Sequence, residues 1–226
     1  MNNKELYIRF ERVCVAHKEW ELTNFGVQPI LRSVKGIMEE QGELMHCVLK
    51  FEQGIRGMDA DKYLELGKDA IADIGIYLIS AINKTNTPIS FFTIDACAVM
   101  HGVSIHDRLC SDFLDAPDAT VAPNAYREFL QKRSDEGMWA FRNMHAATNM
   151  LFYFALQEKL DRVDVVKADW YKQLANECKK VLNAANDVSL YLFGVPIMEL
   201  ISEVWDREVS KREWKARKQQ EESATA

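Results

Sequence analysis

The sequence predicts an all-α fold, and three observations support this prediction. Long segments carry apolar residues at intervals of three and four, the spacing that gathers them on one face of an amphipathic helix. Strand-like alternation of apolar and polar residues is nearly absent from the sequence. Only 10 Gly and 5 Pro punctuate the 226 residues, and no long flexible linker divides them. We therefore expect residues 1–226 to form a single all-α domain.

The periodic segments give the positions of the helices. They predict helices at about 4–21, 28–53, 60–84, 104–114, 124–160, 165–192 and 195–219. Residues that favour turns separate these helices at Asn24-Phe25-Gly26, Gly54 to Gly57, Asn86-Thr87-Pro88, Asp115-Ala116-Pro117 with Pro123, and Gly194-Val195-Pro196. The last residues, 215–226, are charged or small and predict a frayed helix end followed by disorder.

Two of the predicted helices share a short stretch of similar sequence. Residues 70–78 read AIADIGIYL, and residues 184–192 read AANDVSLYL. A duplicated helical unit whose second copy lost its acidic residues would explain the similarity, and so would chance resemblance between two apolar helices.

Composition and charge exclude several classes of protein. The net charge of −6 argues against a protein that neutralises many nucleic-acid phosphates, so we expect no nucleic-acid partner. No run reaches the roughly 18 apolar residues of a membrane span, and charges interrupt the N-terminus where a signal peptide would lie. The five cysteines form no CxxC pair. We expect a cytoplasmic protein with no membrane contact.

Acidic residues cluster on two of the predicted helices. Glu39, Glu40 and Glu43 crowd one helical turn, where like charges destabilise a helix unless a cation balances them. Asp69 and Asp73 share a face of the next helix, and apolar residues follow Asp73. If the two helices pack antiparallel, the acidic patches meet across one cavity. Carboxylates suit Mg²⁺, with Mn²⁺ as a substitute, so all five residues are candidate metal ligands.

These two acidic patches resemble the motif of the MazG-like all-α nucleoside triphosphate pyrophosphohydrolases. That motif is EExxE followed, after a gap, by ExxD, and residues 39–43 read EEQGE. A gap of 26 residues leads to Ala70, where the family usually has Glu, and Asp73 completes the second half. The nearest acid to the missing Glu is Asp69, an arrangement similar to that of phage-type members. Residues 201–214 resemble the last helix of such members.

The resemblance implies a fold and a reaction. It implies a four-helix-bundle-type core over residues 28–84 and 195–217, with 88–190 a helical insertion or a degenerate second repeat. It implies Mg²⁺-dependent hydrolysis of an NTP or dNTP, among them dGTP, dCTP or dUTP, to a monophosphate and pyrophosphate. Glu40, Glu43 and Asp73 would be the main metal ligands. Glu39 or Glu40 would deprotonate the attacking water, and Glu39 and Asp69 would be further ligands or groups that orient ligands.

Further residues are candidates for binding the substrate. They are Lys50, Tyr77 and Ser80 near the acidic patches, and Lys211, Arg212 and either Trp205 or Trp214 in the last helix. In the last helix, Lys211 and Arg212 would hold the phosphates while a tryptophan stacks on the base.

Two other functions stay open at this stage. The chain is also similar in length and in its helical carboxylates to dimeric-type dUTPases, which would restrict the substrate to dUTP. A non-catalytic helical adaptor that binds metal for stability is the alternative of another class, because Ala70 replaces an expected ligand. The resemblance further implies a homodimer or homotetramer, located in the host cytoplasm if the protein is phage-encoded.

Overall fold

The computed structural model describes residues 3–92, 112–159 and 167–211, and in these residues the fold is all-α, without strands. The helices are α1 (Asn3–Phe25), α2 (Ile30–Gln53), α3 (Ala60–Asn83), α4 (Pro123–Lys159), α5 (Lys167–Phe193) and α6 (Ile197–Arg207). Short 3₁₀ turns follow α3 at Ile89–Phe92 and α6 at Val209–Lys211. The predicted fold class is therefore confirmed, and the first five of these helices begin and end close to their predicted bounds.

The last predicted helix is wrong in its length. The sequence predicts a helix that runs unbroken over 195–219, but α6 ends at Arg207. Glu208 leaves the helical region with φ −128° and ψ −59°, and the chain then forms the 3₁₀ turn Val209–Lys211. Residues beyond 211, and nearly all of the predicted helix 104–114, lie outside the described residues.

Helices α2 and α3 form an antiparallel pair joined by a short connection. Gly54 ends α2 in the left-handed conformation, with φ 64°, which glycine adopts without strain. Asp59 begins α3 by accepting a hydrogen bond from the backbone N–H of Lys62 at 2.8 Å. The rings of Phe51 and Tyr63 stack across the pair, with centroids 4.3 Å apart. This connection turns the chain back on itself and brings the two acidic segments onto neighbouring helices.

Helices α2 to α5 pack in a ring around one apolar core. Helix α2 contacts α3 and α4, and α5 contacts the same two helices from the other side. The core includes these fully buried side chains: Val34, Ile37, Leu44, Ile71, Ile74, Leu78, Leu130, Met144, Leu151, Leu174, Val181 and Val188. Helices α1 and α6 pack against α3. The segment predicted as an insertion or second repeat, 88–190, thus contributes two of the four helices in the ring.

The helix pairs α2–α3 and α4–α5 share one packing detail. A side chain at Gly36 would overlap the ring of Tyr77. Across the second pair, a Cβ at Gly137 would lie 2.7 Å from Leu192 Cδ2 and 3.3 Å from Tyr191 Cβ. Tyr191 and Tyr77 occupy the same place in the two similar sequence stretches. Each pair therefore has a glycine that allows close approach of the partner helix at this position.

Helix α5 gives way to α6 through a sharp corner. Gly194 has φ 67°, and the backbone N–H of Ile197 donates a hydrogen bond to Asn186 Oδ1 at 3.2 Å.

In the part of the chain that the structure describes, no single helix has the length and apolarity needed to cross a membrane. The pair Asp169–Phe193 and Ile197–Lys211, bent by 88°, passes that test of length and composition only when taken together.

His17 is buried where α1 meets α6. Its ring centroid lies 5.7 Å from that of Trp20 and 5.6 Å from that of Trp205. Only 3% of His17 is exposed, and its Nδ1 has no hydrogen-bond partner among the described residues. Burial lowers the pKa of His17 to about 4; nearby Glu21 raises this pKa and Lys84 lowers it, each by less than burial does. The imidazole is therefore neutral in the folded protein at neutral pH.

This burial makes stability depend on pH. The unfolded chain binds a proton at His17 below its ordinary pKa of 6.5, whereas the folded protein does not until about pH 4. Stability should therefore fall as the pH falls from 6.5 to 4, by on the order of 2 kcal/mol between pH 7 and pH 5. Urea unfolding of His17→Phe should show a flatter dependence over this range. Trp20→Phe perturbs the same ring cluster but keeps the imidazole, and should retain the wild-type slope; an equally steep slope in His17→Phe would contradict the assignment.

Candidate functional site

A cleft of about 480 Å³ lies between α2 and α3, and the predicted carboxylates line it. These are Glu39, Glu40, Glu43, Asp69 and Asp73. His46 and Lys50 add polar groups from α2, while Met58 and Leu66 add an apolar wall at the end nearest the connection. The structure thus brings together all five predicted metal ligands: the four acids of the sequence motif, and Asp69 beside them.

The register of the two helices explains why the carboxylates meet. Ser33 and Ser80 are in contact across the pair, with their Oγ atoms 2.7 Å apart. One turn further along, Gly36 faces the ring of Tyr77. The same antiparallel register, continued by another turn, places Glu40 opposite Asp73. The spacing of three and four residues within each helix then puts the remaining acids beside this pair.

Glu40 experiences the accumulated negative charge most strongly. It is half-buried, and its pKa is raised to about 7. Burial is the largest cause, followed by the negative charges of Asp73, Glu43, Glu39 and Asp69. The pKa of Tyr77 is also raised, first by burial and then by Glu40, Glu39 and Asp73. The cleft is therefore a region of strong negative potential that a bound cation would relieve.

The donor atoms suit a hard divalent cation, but they are not arranged as a finished coordination sphere. Carboxylate oxygens are the ligands that Mg²⁺ and Mn²⁺ prefer. Among the described residues, no three His, Cys, Asp or Glu side chains converge closely enough to hold one metal ion. The residues present fit such an ion in donor type and in charge, and the fit does not extend to coordination geometry.

Asp69 has an ion-pair partner that the sequence did not reveal. Arg207 donates from Nη2 to Asp69 Oδ1 at 3.1 Å, and its Nε lies 2.9 Å from Glu208 Oε1. Arg207 is the last residue of α6, which packs along α3. It supplies a basic group at the edge of the cleft from a residue 138 positions away in sequence. The sequence analysis instead predicts Lys211 and Arg212 as the basic residues of the site.

Two of the predicted substrate-binding residues lie at or beside the cleft. Lys50 lines it and is half-buried. Tyr77 packs its ring on Gly36 and has 36% of its surface exposed, next to Glu40 and Asp73. Both positions agree with the predicted location, and contact with a substrate stays a prediction.

Ser80 does not lie in the cleft, contrary to the prediction. It is 4% exposed and donates a hydrogen bond to Glu21 Oε1 at 2.7 Å. Lys84 Nζ, 2.7 Å from the same Glu21 oxygen, and Ser33 complete this partly buried polar group. Because Ser80 is two helical turns beyond Asp73, it reaches α1 instead of the acidic residues. Its role in the structure is to join α1, α2 and α3.

The predicted residues of the last helix are also placed differently. Trp205 is 5% exposed and packs on His17 and Trp20, so it has no face available to stack on a base. Lys211 lies in the 3₁₀ turn, is exposed and does not line the cleft. Arg212 and Trp214 lie outside the described residues. The break in the helix at Glu208 explains why positions after it do not follow the phase of α6.

The charge on Glu40 should destabilise the metal-free protein. Its folded pKa of about 7 exceeds the ordinary value of 4.5, so the contribution to stability present at low pH is lost as the pH rises through this interval. With chelator at pH 8, Glu40→Gln should raise the free energy of unfolding by on the order of 1 kcal/mol after allowance for solvent screening. Glu39→Gln, at an exposed position on the same face, should have a smaller effect. A lower melting temperature for Glu40→Gln than for wild type at pH 8 would contradict this account.

Comparisons with protein-family models, with curated proteins and with solved structures gave no match to this chain.

Proposed function

We propose that this protein hydrolyses nucleoside triphosphates with the help of a divalent cation, releasing pyrophosphate and a nucleoside monophosphate. The observation that carries the proposal is the meeting of the two motif halves on the walls of one cleft. Residues 39–43 and residues 69–73 are separated by the whole connection between α2 and α3, yet Glu40 faces Asp73. Two acidic helix faces on an ordinary protein surface have no reason to oppose each other in this way.

The residues of the cleft would divide the chemical work. Glu40, Glu43 and Asp73 would hold Mg²⁺, with Mn²⁺ as a substitute. A bound Mg²⁺ neutralises charge on the phosphate oxygens and acidifies a bound water. Glu39 or Glu40 would accept a proton from the water that attacks phosphorus while the bond between the α and β phosphates breaks. The five carboxylates would otherwise repel the substrate, so cation and substrate are expected to bind together.

The dimensions and lining of the cleft support a nucleotide-sized ligand. Its volume of about 480 Å³ lies in the ordinary range for small-molecule sites. Lys50 offers one positive charge inside it, and the apolar wall of Met58 and Leu66 offers a surface for a base. The resemblance implies a MazG-like core of residues 28–84 and 195–217, whereas the four-helix ring consists of α2 to α5, with α6 packed outside it against α3; a bundle of the MazG-like type stays a proposal.

One alternative function has an observation in its favour. Because no three acidic side chains converge on a single point among the described residues, a metal-binding adaptor without turnover remains the second candidate. A screen of the canonical ribo- and deoxyribonucleoside triphosphates with Mg²⁺ and with Mn²⁺ separates the two. Hydrolysis limited to dUTP would instead favour the dUTPase alternative.

Assembly and location stay predictions. A homodimer or homotetramer would need an apolar surface on each subunit, and Trp139, Met150 and Tyr153 are exposed together along α4. Their spacing of eleven and three residues keeps them near one face of the helix. A cytoplasmic location is likewise an expectation from the sequence alone.

Glu43→Gln gives the sharpest test of the proposed reaction. The change removes one negative ligand while keeping the shape of the side chain, so cation-dependent release of pyrophosphate should fall by on the order of 100-fold. The helical circular dichroism signal should be unchanged because Glu43 is exposed. Glu65→Gln removes an exposed carboxylate of α3 outside the cleft and should keep wild-type turnover. Full activity in Glu43→Gln would rule out the proposed site.

A further inference from the structure

The ion pair between Arg207 and Asp69 joins the end of α6 to the edge of the acidic cleft. Asp69 lines the cleft, and Arg207 reaches it from the last turn of α6 with an Nη2 to Oδ1 distance of 3.1 Å. Arg207 Nε lies 2.9 Å from Glu208 Oε1. Two carboxylates therefore contact the guanidinium, one at Nη2 and one at Nε, and restrict the orientation of a group that is otherwise attached through a flexible chain.

The ion pair between Arg207 and Asp69 contributes little to stability. The Arg207 side chain is 62% exposed and the Asp69 side chain 45% exposed, and ion pairs at such positions contribute about 0–1 kcal/mol. The same helix has a second pair of this kind, in which Arg12 of α1 contacts Asp206 at 2.9 Å with both side chains about as exposed. That pair is not part of the cleft lining. The pair at Asp69 differs in position, since it places a positive charge at a cleft of otherwise negative potential.

The chemistry of the guanidinium indicates what this charge would bind. Arginine has five N–H donors in a planar fork, and its two carboxylate contacts use at most two of them. The rest are available for an acceptor that approaches the cleft, and the fork matches phosphate oxygens in pairs. An arginine held by carboxylates in the free protein is already oriented, so less freedom is lost when phosphate binds.

We propose that Arg207 binds the polyphosphate of the substrate at the rim of the cleft, and that Asp69 is a positioning residue that orients Arg207. Asp69 then does not replace the ligand missing at Ala70, and the cation is held by Glu40, Glu43 and Asp73. This inference rests on the proposed function, because it assigns the phosphate-binding group of the same site. It moves the phosphate contact from the predicted Lys211 and Arg212 to a residue earlier in the chain.

Calorimetry with inorganic tripolyphosphate and with Mg²⁺ alone tests the inference without turnover. Arg207→Ala should weaken binding of tripolyphosphate in the presence of Mg²⁺ by about tenfold or more, the effect of losing a charge-assisted contact. It should leave the affinity for Mg²⁺ alone within about twofold of wild type. Arg12→Ala breaks the comparable exposed ion pair on α6 and should change neither affinity. Thermal unfolding of each variant confirms that the fold is retained.

Asp69→Asn distinguishes a positioning residue from a metal ligand. A positioning residue predicts weaker tripolyphosphate binding, unchanged Mg²⁺ binding, and a double variant with Arg207→Ala that is no worse than Arg207→Ala alone. A metal ligand predicts the opposite pattern: Asp69→Asn loses Mg²⁺ affinity, and Arg207→Ala gains it because a competing cation is removed. That second pattern would overturn the inference.

Failure of this inference and failure of the proposed function give different results. If wild type hydrolyses triphosphates while Arg207→Ala keeps full affinity for tripolyphosphate, the inference fails and the function stands. If wild type hydrolyses no triphosphate but loses tripolyphosphate affinity on Arg207→Ala, the phosphate site stands and the hydrolase assignment fails. Absence of tripolyphosphate binding to wild type with Mg²⁺ would also overturn the inference.

Discussion

The close antiparallel packing of α2 on α3 is the constraint on which the candidate site depends. Gly36 leaves room for the ring of Tyr77, and Ser33 meets Ser80 at hydrogen-bond distance, so the two helices are held in one register. A shift by one residue would rotate the acidic faces away from each other. Apolar burial along the rest of the interface supplies the free energy that holds like charges together, since each fully buried large aliphatic side chain contributes about 1.5–3 kcal/mol.

The electrostatic cost of that arrangement is concentrated at Glu40, and it is the basis of the proposed function. Burial first, and then the four surrounding acids, raise the pKa of the Glu40 carboxyl to about 7, which is unfavourable for stability. A cation at the same place would reverse the sign of the interaction, and for this reason we propose that one binds there. Arg207 supplies part of the missing positive charge at the edge of the cleft, where it meets Asp69.

Much of this could be predicted from the sequence, because it follows from local periodicity. The helices and the turns between them are properties of neighbouring residues. So are the face that Glu39 shares with Glu43 and the face that Asp69 shares with Asp73. The role of Arg207 could not be predicted, because its contact with Asp69 spans 138 positions and depends on where α6 ends. Likewise, the sequence places Ser80 on α3 but does not reveal that α1 covers that turn. The packing of α4 and α5 against α2 and α3 could not be predicted either, because it depends on contacts between residues far apart in the sequence.

The central claim is that the carboxylates of α2 and α3 form one cation site for a triphosphate. A crystal structure of the protein grown with Mn²⁺ and a non-hydrolysable triphosphate analogue tests it most directly, because anomalous scattering locates manganese independently of the protein. The account predicts an anomalous peak within coordination distance of Glu40, Glu43 and Asp73, with phosphate oxygens completing the coordination. Manganese bound elsewhere, with these carboxylates left in contact only with water, would contradict it.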